Sequence, residues 1–365
     1  MRLKTEFRLA IQVLTPLHIG TGRDLEEGFD YVVRGERTLR LHEERFVRWV
    51  AERGEAFARL TQGVPPDQIL GAEIPRELVR YELPGVPQGP KEIRECVKDA
   101  YDRPYLPGSA LKGALRTLLL DRAWKERRLA LSRVRLDPEA RFAARRLEQE
   151  VFGPTPHEDL LKALRLQDSA PAPMECLRLL NVRCVSPAAR AGIPIALEAL
   201  APKTVLMVEG HIDETAFRPW GFQRKPGFLP EEKRAWLAWE ALAAAARERA
   251  QRRLELDLDW AQKVGVKTEP WEQLLQQVRQ AERGESRGFP LQIGFGTGWL
   301  GTTLGPVLLA DPGFPEVHRR YKLGRVPRSS RQTPPERFPA SRRLARLNAL
   351  DLPLGWVWVL PKETA

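Results

Sequence analysis

Cysteine, histidine and methionine are all sparse in this 365-residue chain. The three cysteines, Cys96, Cys176 and Cys184, lie far outside any CxxC spacing and the five histidines are scattered, so neither a disulfide framework nor a zinc site is expected. No run is long and apolar enough to span a bilayer. The start, Met1-Arg2-Leu3-Lys4-Thr5-Glu6-Phe7, passes into an alternating strand without an apolar signal core, and the expectation is a cytoplasmic protein. Gly108 and Gly113 have P-loop spacing, but Ala114-Leu115 stand where Lys and Ser/Thr should hold phosphate and magnesium, which argues against an ATPase. Gly296-x-Gly298-x-x-Gly301 matches a dinucleotide fingerprint, yet residues 302–310 read as strand or loop, Pro306 and Pro312 deny a helix, and no βαβ unit follows. A Gly-x-Ser-x-Gly elbow is absent as well, and no cofactor or metal is implied.

Basic charge is what the chain has in excess. Lys and Arg number 59 against 48 Asp and Glu, a formal net charge of +11 with a pI near 9.8, so a polyanion is the first partner to consider. An arginine-rich proteome would produce much of the same excess. The sharpest local signal is Pro107-Gly108-Ser109-Ala110-Leu111-Lys112-Gly113-Ala114-Leu115-Arg116, read as a tight turn opening into a helix over residues 110–131. Ser109 is the expected N-cap, and Leu111, Ala114, Leu115, Leu118 and Leu119 recur at helical spacing. Ser109, Lys112, Gly113 and Arg116 then group beside the positive end of the helix dipole, where a phosphate would sit.

Along the rest of the chain, Phe7, Leu9, Ile11 and Val13 alternate as a half-buried strand, followed by a glycine-punctuated loop with His18, Gly20 and Gly22. A hairpin is expected over 28–41, helix over 43–60 and an irregular surface insertion over 61–104 with a short polar strand or two at most. Further helix is expected over 138–151, 230–254 and 271–283, and strands over 164–167, 177–185, 203–212 and 355–360. A Pro/Ala run at 170–173 marks the best domain boundary, giving segments 1–173 and 174–365, the second with a helical insertion at about 230–283. Residues 318–346 are proline-rich and basic, with Arg319, Arg320, Lys322, Arg325, Arg328, Arg331, Arg342 and Arg343, and read either as a nucleic-acid footprint or as a solvated loop. Gly294, Gly296, Gly298 and Gly301 form a loop whose backbone can approach a ligand, with Phe295 and Trp299 able to stack on bases; a tight structural hairpin is the plainer alternative.

LTPLHIGTG at 14–22, YLPGSALKGALRTLLL at 105–120, VFG at 151–153, LRLQDS at 164–169 and IGFGTGWLGTT at 293–303 together resemble the RAMP superfamily of CRISPR–Cas proteins. Their order, the helical insert and the terminal GWVWV are most similar to the Csm subunits of type III-A effector complexes. The resemblance implies an α+β fold of two ferredoxin-like (RRM-like) domains. It also implies binding of the 3′ part of a single-stranded CRISPR RNA, and a part in CRISPR RNA maturation and antiviral defence. The implied partners are that RNA, other Csm subunits, chiefly the neighbouring backbone RAMP subunit, and a host ribonuclease to which the 3′ end is presented. Carried onto this sequence, the RNA-facing positions are His18, Gly20 and Gly22, then Ser109, Lys112, Gly113 and Arg116, then Gly294, Gly296, Gly298, Trp299 and Gly301. The family's late loop often carries Lys-Thr where this chain has Thr302-Thr303. The resemblance implies binding without catalysis. Its rivals are a metal-dependent endoribonuclease acting on CRISPR RNA or target RNA through Asp30 and His18, and a protein scaffold working through the 230–283 helices.

Overall fold

The computed structural model describes residues 3–187, 192–217, 229–324 and 334–362. Its architecture is α+β, as the element order predicts. An antiparallel five-stranded sheet runs in the order Phe289–Gln292, Trp356–Lys362, Lys4–Val13, Val205–Asp213 and Leu164–Leu166. The period of two in Gly355-Trp356-Val357-Trp358-Val359 decides how the centre of this sheet is covered. Val357 and Val359 face a core with Leu9, Ile11, Leu111, Leu115 and Leu118, whereas Trp356 and Trp358 face a second core with Trp260, Trp271, Leu274 and Val278. The helices Gly108–Glu126 and Glu269–Glu282 thus contribute to opposite cores, and the 26-residue helix Trp239–Val264 contributes to both.

A six-stranded sheet runs in the order Leu350–Pro353, Arg342–Leu347, Leu177–Val185, Ile195–Leu200, Glu92–Cys96 and Gly20–Glu26. Its Glu92–Cys96 and Ile195–Leu200 strands pair in parallel. A third sheet, Tyr31–Arg34, Arg37–Leu41 and Val79–Pro84, packs with helices Glu43–Ala51, Gly54–Thr61 and Pro66–Leu70 around its own core of Val32, Leu41, Phe46, Val50, Ile69 and Leu78. Both larger sheets draw strands from either side of residue 173.

Four local expectations are corrected. The two strands in 61–104 are not polar surface strands: Val79–Pro84 and Glu92–Cys96 bury Tyr81, Leu83, Ile93 and Cys96 together. Residues 302–310 are not strand: the turn Gly298–Thr302 ends at their start and Gly305–Leu308 is a second short helical turn, with Pro306 in its first turn, where its missing N–H costs nothing. The helix expected over 230–254 begins at Trp239 after a 3₁₀ turn and continues to Val264, where Gly265 takes a left-handed φ of 73°. The alternation Leu256-Asp257-Leu258-Asp259 mimics a strand there, but Asp257 lies one helical turn from Arg253 and closes a buried ion pair at 2.8 Å. Ser109 does not cap the Gly108 helix, for the reason given below.

Candidate nucleic-acid interface

The structure brings the first glycine loop and the late one together. His18 is 3% exposed and its Nδ1 donates to the Glu198 carbonyl at 2.6 Å, which leaves Nε2 as the lone-pair side of a neutral ring. Burial is the largest cause lowering its pKa to about 4, and Arg94 and Lys98 push in the same direction. The late loop latches onto this segment through Phe295 N–H donating to the His18 carbonyl at 2.9 Å. Gly294, at φ 78°, approaches so closely that a Cβ there would strike the His18 carbonyl oxygen. The latched loops wall a groove of about 480 Å³ lined by His18, Gly20, Gly22, Arg23, Asp24, Arg94, Glu95, Gly294 and Phe295. A Cβ on Gly20 would come within 2.9 Å of His18 Nε2, whereas Gly22 and Gly298 face open space at left-handed φ values of 89° and 62°. Gly296 packs on Leu354, and Gly301 on Thr297 and Gln292.

Beneath the groove, Glu198 is buried and accepts from Tyr81 Oη at 2.7 Å, the Cys96 N–H at 2.8 Å and Lys98 Nζ at 2.5 Å. Burial first, and then the Glu198 charge, raise the Tyr81 phenol and push the Cys96 thiol up to about 12. This network backs the His18 ring through the Glu198 carbonyl, and the carboxylates that line the groove are those of Asp24 and Glu95.

The helix start at Pro107 lies elsewhere, and its first-turn anion is already supplied by the chain. Asp168 Oδ1 accepts from the Gly108 N–H at 2.8 Å, and Pro107 rather than Ser109 occupies the N-cap position. Lys112 Nζ donates to the Leu164 carbonyl at 2.9 Å, and burial, with Arg165 nearby, lowers its pKa. Arg116 bonds Glu148 at 3.2 Å and Asp159 at 2.8 Å and lies over the Phe152 ring. Lys112, Gly113 and Arg116 nonetheless line a second, larger cleft of about 1010 Å³, with Leu120, Trp124, Phe142, Trp299 and Thr302. Gly113 faces open space in it. The late loop therefore joins the two clefts: Gly294 and Phe295 line the first, Trp299 the second. Trp299 itself packs against Phe314 and Phe338, with ring centroids 5.8 and 4.9 Å away.

Asp30 lines neither cleft. Its carboxylate accepts from Arg23 Nη2 at 2.7 Å and the Glu26 N–H at 2.9 Å, with Arg40 Nη2 at 3.3 Å. Among the described residues no cluster of three or more His, Cys, Asp or Glu could hold a metal ion. Nor is any helix there long and apolar enough to cross a membrane. In the basic stretch 318–346, Arg342 bonds Asp257 at 2.6 Å and Arg343 lies over the Phe295 ring, while Arg325, Arg328 and Arg331 lie outside the described residues. Sequence reasoning missed the charged groove residues Arg23, Asp24, Arg94 and Glu95, and it placed Arg94 in an irregular insertion. The alternation Ile93-Arg94-Glu95-Cys96 was the only signal of Arg94.

This chain is similar to several known proteins. The family model of the RAMP superfamily matches residues 10–300. A curated protein from Streptococcus thermophilus, "CRISPR system Cms protein Csm5", is 25% identical over 236 residues, covering 56% of this chain and 63% of that protein, so the match spans less than two thirds of its length. Among solved structures, a chain of a Csm–crRNA–target RNA ternary complex of a type III-A CRISPR–Cas system superposes with a TM-score of 0.67 at 26% identity, covering 97% of this chain and all of that one. The crystal structure of T. onnurineus Csm5 superposes with a TM-score of 0.63 at 26% identity, over 96% of this chain and 99% of that one. With the family model spanning most of its length, the chain belongs to the RAMP superfamily.

Proposed function

We propose that this protein is a non-catalytic subunit of a type III-A Csm effector complex that binds the 3′ part of the CRISPR RNA and contributes to its maturation and to antiviral defence. The observation that carries the proposal is the latch between the two glycine loops, which forms a groove with bare backbone walls and arginines at its edge. Glycines let a phosphodiester backbone approach closely, and arginines neutralise it without reading sequence. The likeness over 97% of the chain to a component of a Csm–crRNA–target RNA complex supports the same reading. The neighbouring backbone RAMP subunit, and a host ribonuclease acting on the RNA 3′ end, are the partners this role requires. Asp30, held by two arginines and a backbone N–H, does not favour the endoribonuclease alternative. Fluorescence anisotropy of the full chain with a labelled 3′ CRISPR RNA fragment tests the proposal. Affinity should fall linearly on a log–log plot against salt, as counterion release demands. Absence of binding at low salt would overturn it and favour a protein-only scaffold.

A further inference from the structure

Phe295 sits over the middle of the six-stranded sheet, packed on a cluster formed by Leu180, Val182, Leu197, Ala199, Ala345 and Leu354. Two guanidinium groups converge on its ring: Arg94 at 4.8 Å and Arg343 at 4.6 Å from the centroid. They arrive from opposite directions. Arg343 is on Arg342–Leu347 and Arg94 on Glu92–Cys96, with the Leu177–Val185 and Ile195–Leu200 strands between them, so their backbones stand roughly 14 Å apart at ordinary strand spacing. The two guanidinium carbons are nevertheless within about 9 Å of each other, because both side chains reach inward to the ring.

Neither guanidinium is bonded to a carboxylate among the described residues. Asp24 stands opposite Arg94 in the register of its strand pair without closing an ion pair. This contrasts with Arg116, Arg249, Arg252, Arg253 and Arg342, each of which has an acidic partner. Two like charges gathered over one ring without a direct ion pair repel each other, with Asp24 and Glu95 nearby only partly offsetting this, and the repulsion is relieved when an anion enters between or beside them. Contact with the ring restrains both side chains, so less of their freedom is lost on binding.

We propose that Arg94 and Arg343, oriented by Phe295, form a two-arginine clamp for the phosphodiester backbone of single-stranded RNA, holding phosphates on either side of the ring. The proposal rests on the RNA-binding reading above and extends it. The RNA strand leaves the glycine groove at Arg94 and passes over the half-buried Phe295 ring, which covers the apolar middle of the six-stranded sheet, toward Arg343. Because the contacts are charge to phosphate, they are indifferent to base identity.

Oligouridylate is the probe, since it removes base preference. Binding to the full chain is followed by anisotropy across a salt series for the wild type, Arg94→Gln, Arg343→Gln and the double variant. Glutamine keeps most of the stem packed on Phe295, no ion pair is broken, and melting curves establish that each variant is folded. Each single change should weaken binding several-fold at low salt and reduce the log–log salt slope by about 0.7, and the double change by about twice that. Variants that bind with the wild-type slope, while the wild type binds in a salt-dependent manner, would overturn the clamp and leave the RNA-binding reading standing. A wild type that does not bind oligouridylate or the CRISPR RNA fragment at low salt would remove both.

Discussion

His18 donates into the sheet and is almost wholly buried, and burial lowers its pKa from 6.5 to about 4. Between those values the unfolded chain binds a proton that the folded chain refuses, so stability is greatest above pH 6.5 and falls as pH is lowered toward 4. From pH 7.5 to 4.5 this one residue should cost about 2–3 kcal/mol. Replacing it with glutamine, whose amide can still donate to the Glu198 carbonyl, removes the titration. Urea denaturation of wild type and His18→Gln at the two pH values should show the variant losing less stability on acidification by that amount; equal losses would mean that the ring titrates freely. The same pKa means that the positive charge at the groove near neutral pH belongs to Arg23 and Arg94 rather than to His18.

At the scale of the element, the late glycine loop is held by one close approach and left open at another. A Cβ on Gly294 would run into the His18 carbonyl oxygen and come within 2.7 Å of Ile19 Cδ1, whereas one on Gly298 would meet nothing within 4 Å. Both glycines have positive φ, so alanine carries a conformational cost of about 1–2 kcal/mol at either. Only at position 294 is a clash added. Gly298→Ala should therefore cost about 1 kcal/mol and leave RNA affinity near wild type, while Gly294→Ala should cost about 3 kcal/mol or more and break the latch to Phe295 N–H. Melting curves and RNA anisotropy on the two variants check this, and similar behaviour of both would refute the latch. That the loop approaches something closely was legible from Gly294, Gly296, Gly298 and Gly301 alone. That it approaches the His18 carbonyl was not, because nothing local in either segment encodes a contact between the two ends of the chain. The Gly108 helix was legible for the converse reason, its leucines repeating at helical spacing. The partners of its polar groups were not legible, since Asp168, the Leu164 carbonyl, Glu148 and Asp159, which accept from them, come from later segments.

At the scale of the whole molecule, strands far apart in sequence are joined, and the segments 1–173 and 174–365 share both larger sheets, the first segment giving two strands to each. The strand Trp356–Lys362 lies between Phe289–Gln292 and Lys4–Val13, pairing Arg8 with Lys362 through Val13 with Val357. Its Trp356, Val357, Trp358 and Val359 are each at most 2% exposed and fill two different cores. At about 2 kcal/mol for each side chain, their burial contributes roughly 8 kcal/mol, which is as large as the entire net stability of an ordinary domain. Removing them would also expose both edges of the gap in the sheet, with unpaired N–H and C=O groups along Lys4–Val13. A chain ended at Leu354 should therefore lose cooperative thermal unfolding and near-ultraviolet circular dichroism and expose dye-binding apolar surface, even though the six-stranded sheet and the Phe46 core contain none of the deleted residues. A sharp two-state melt of the truncated chain would show instead that the five-stranded sheet is not the centre on which the groove and the arginine clamp depend.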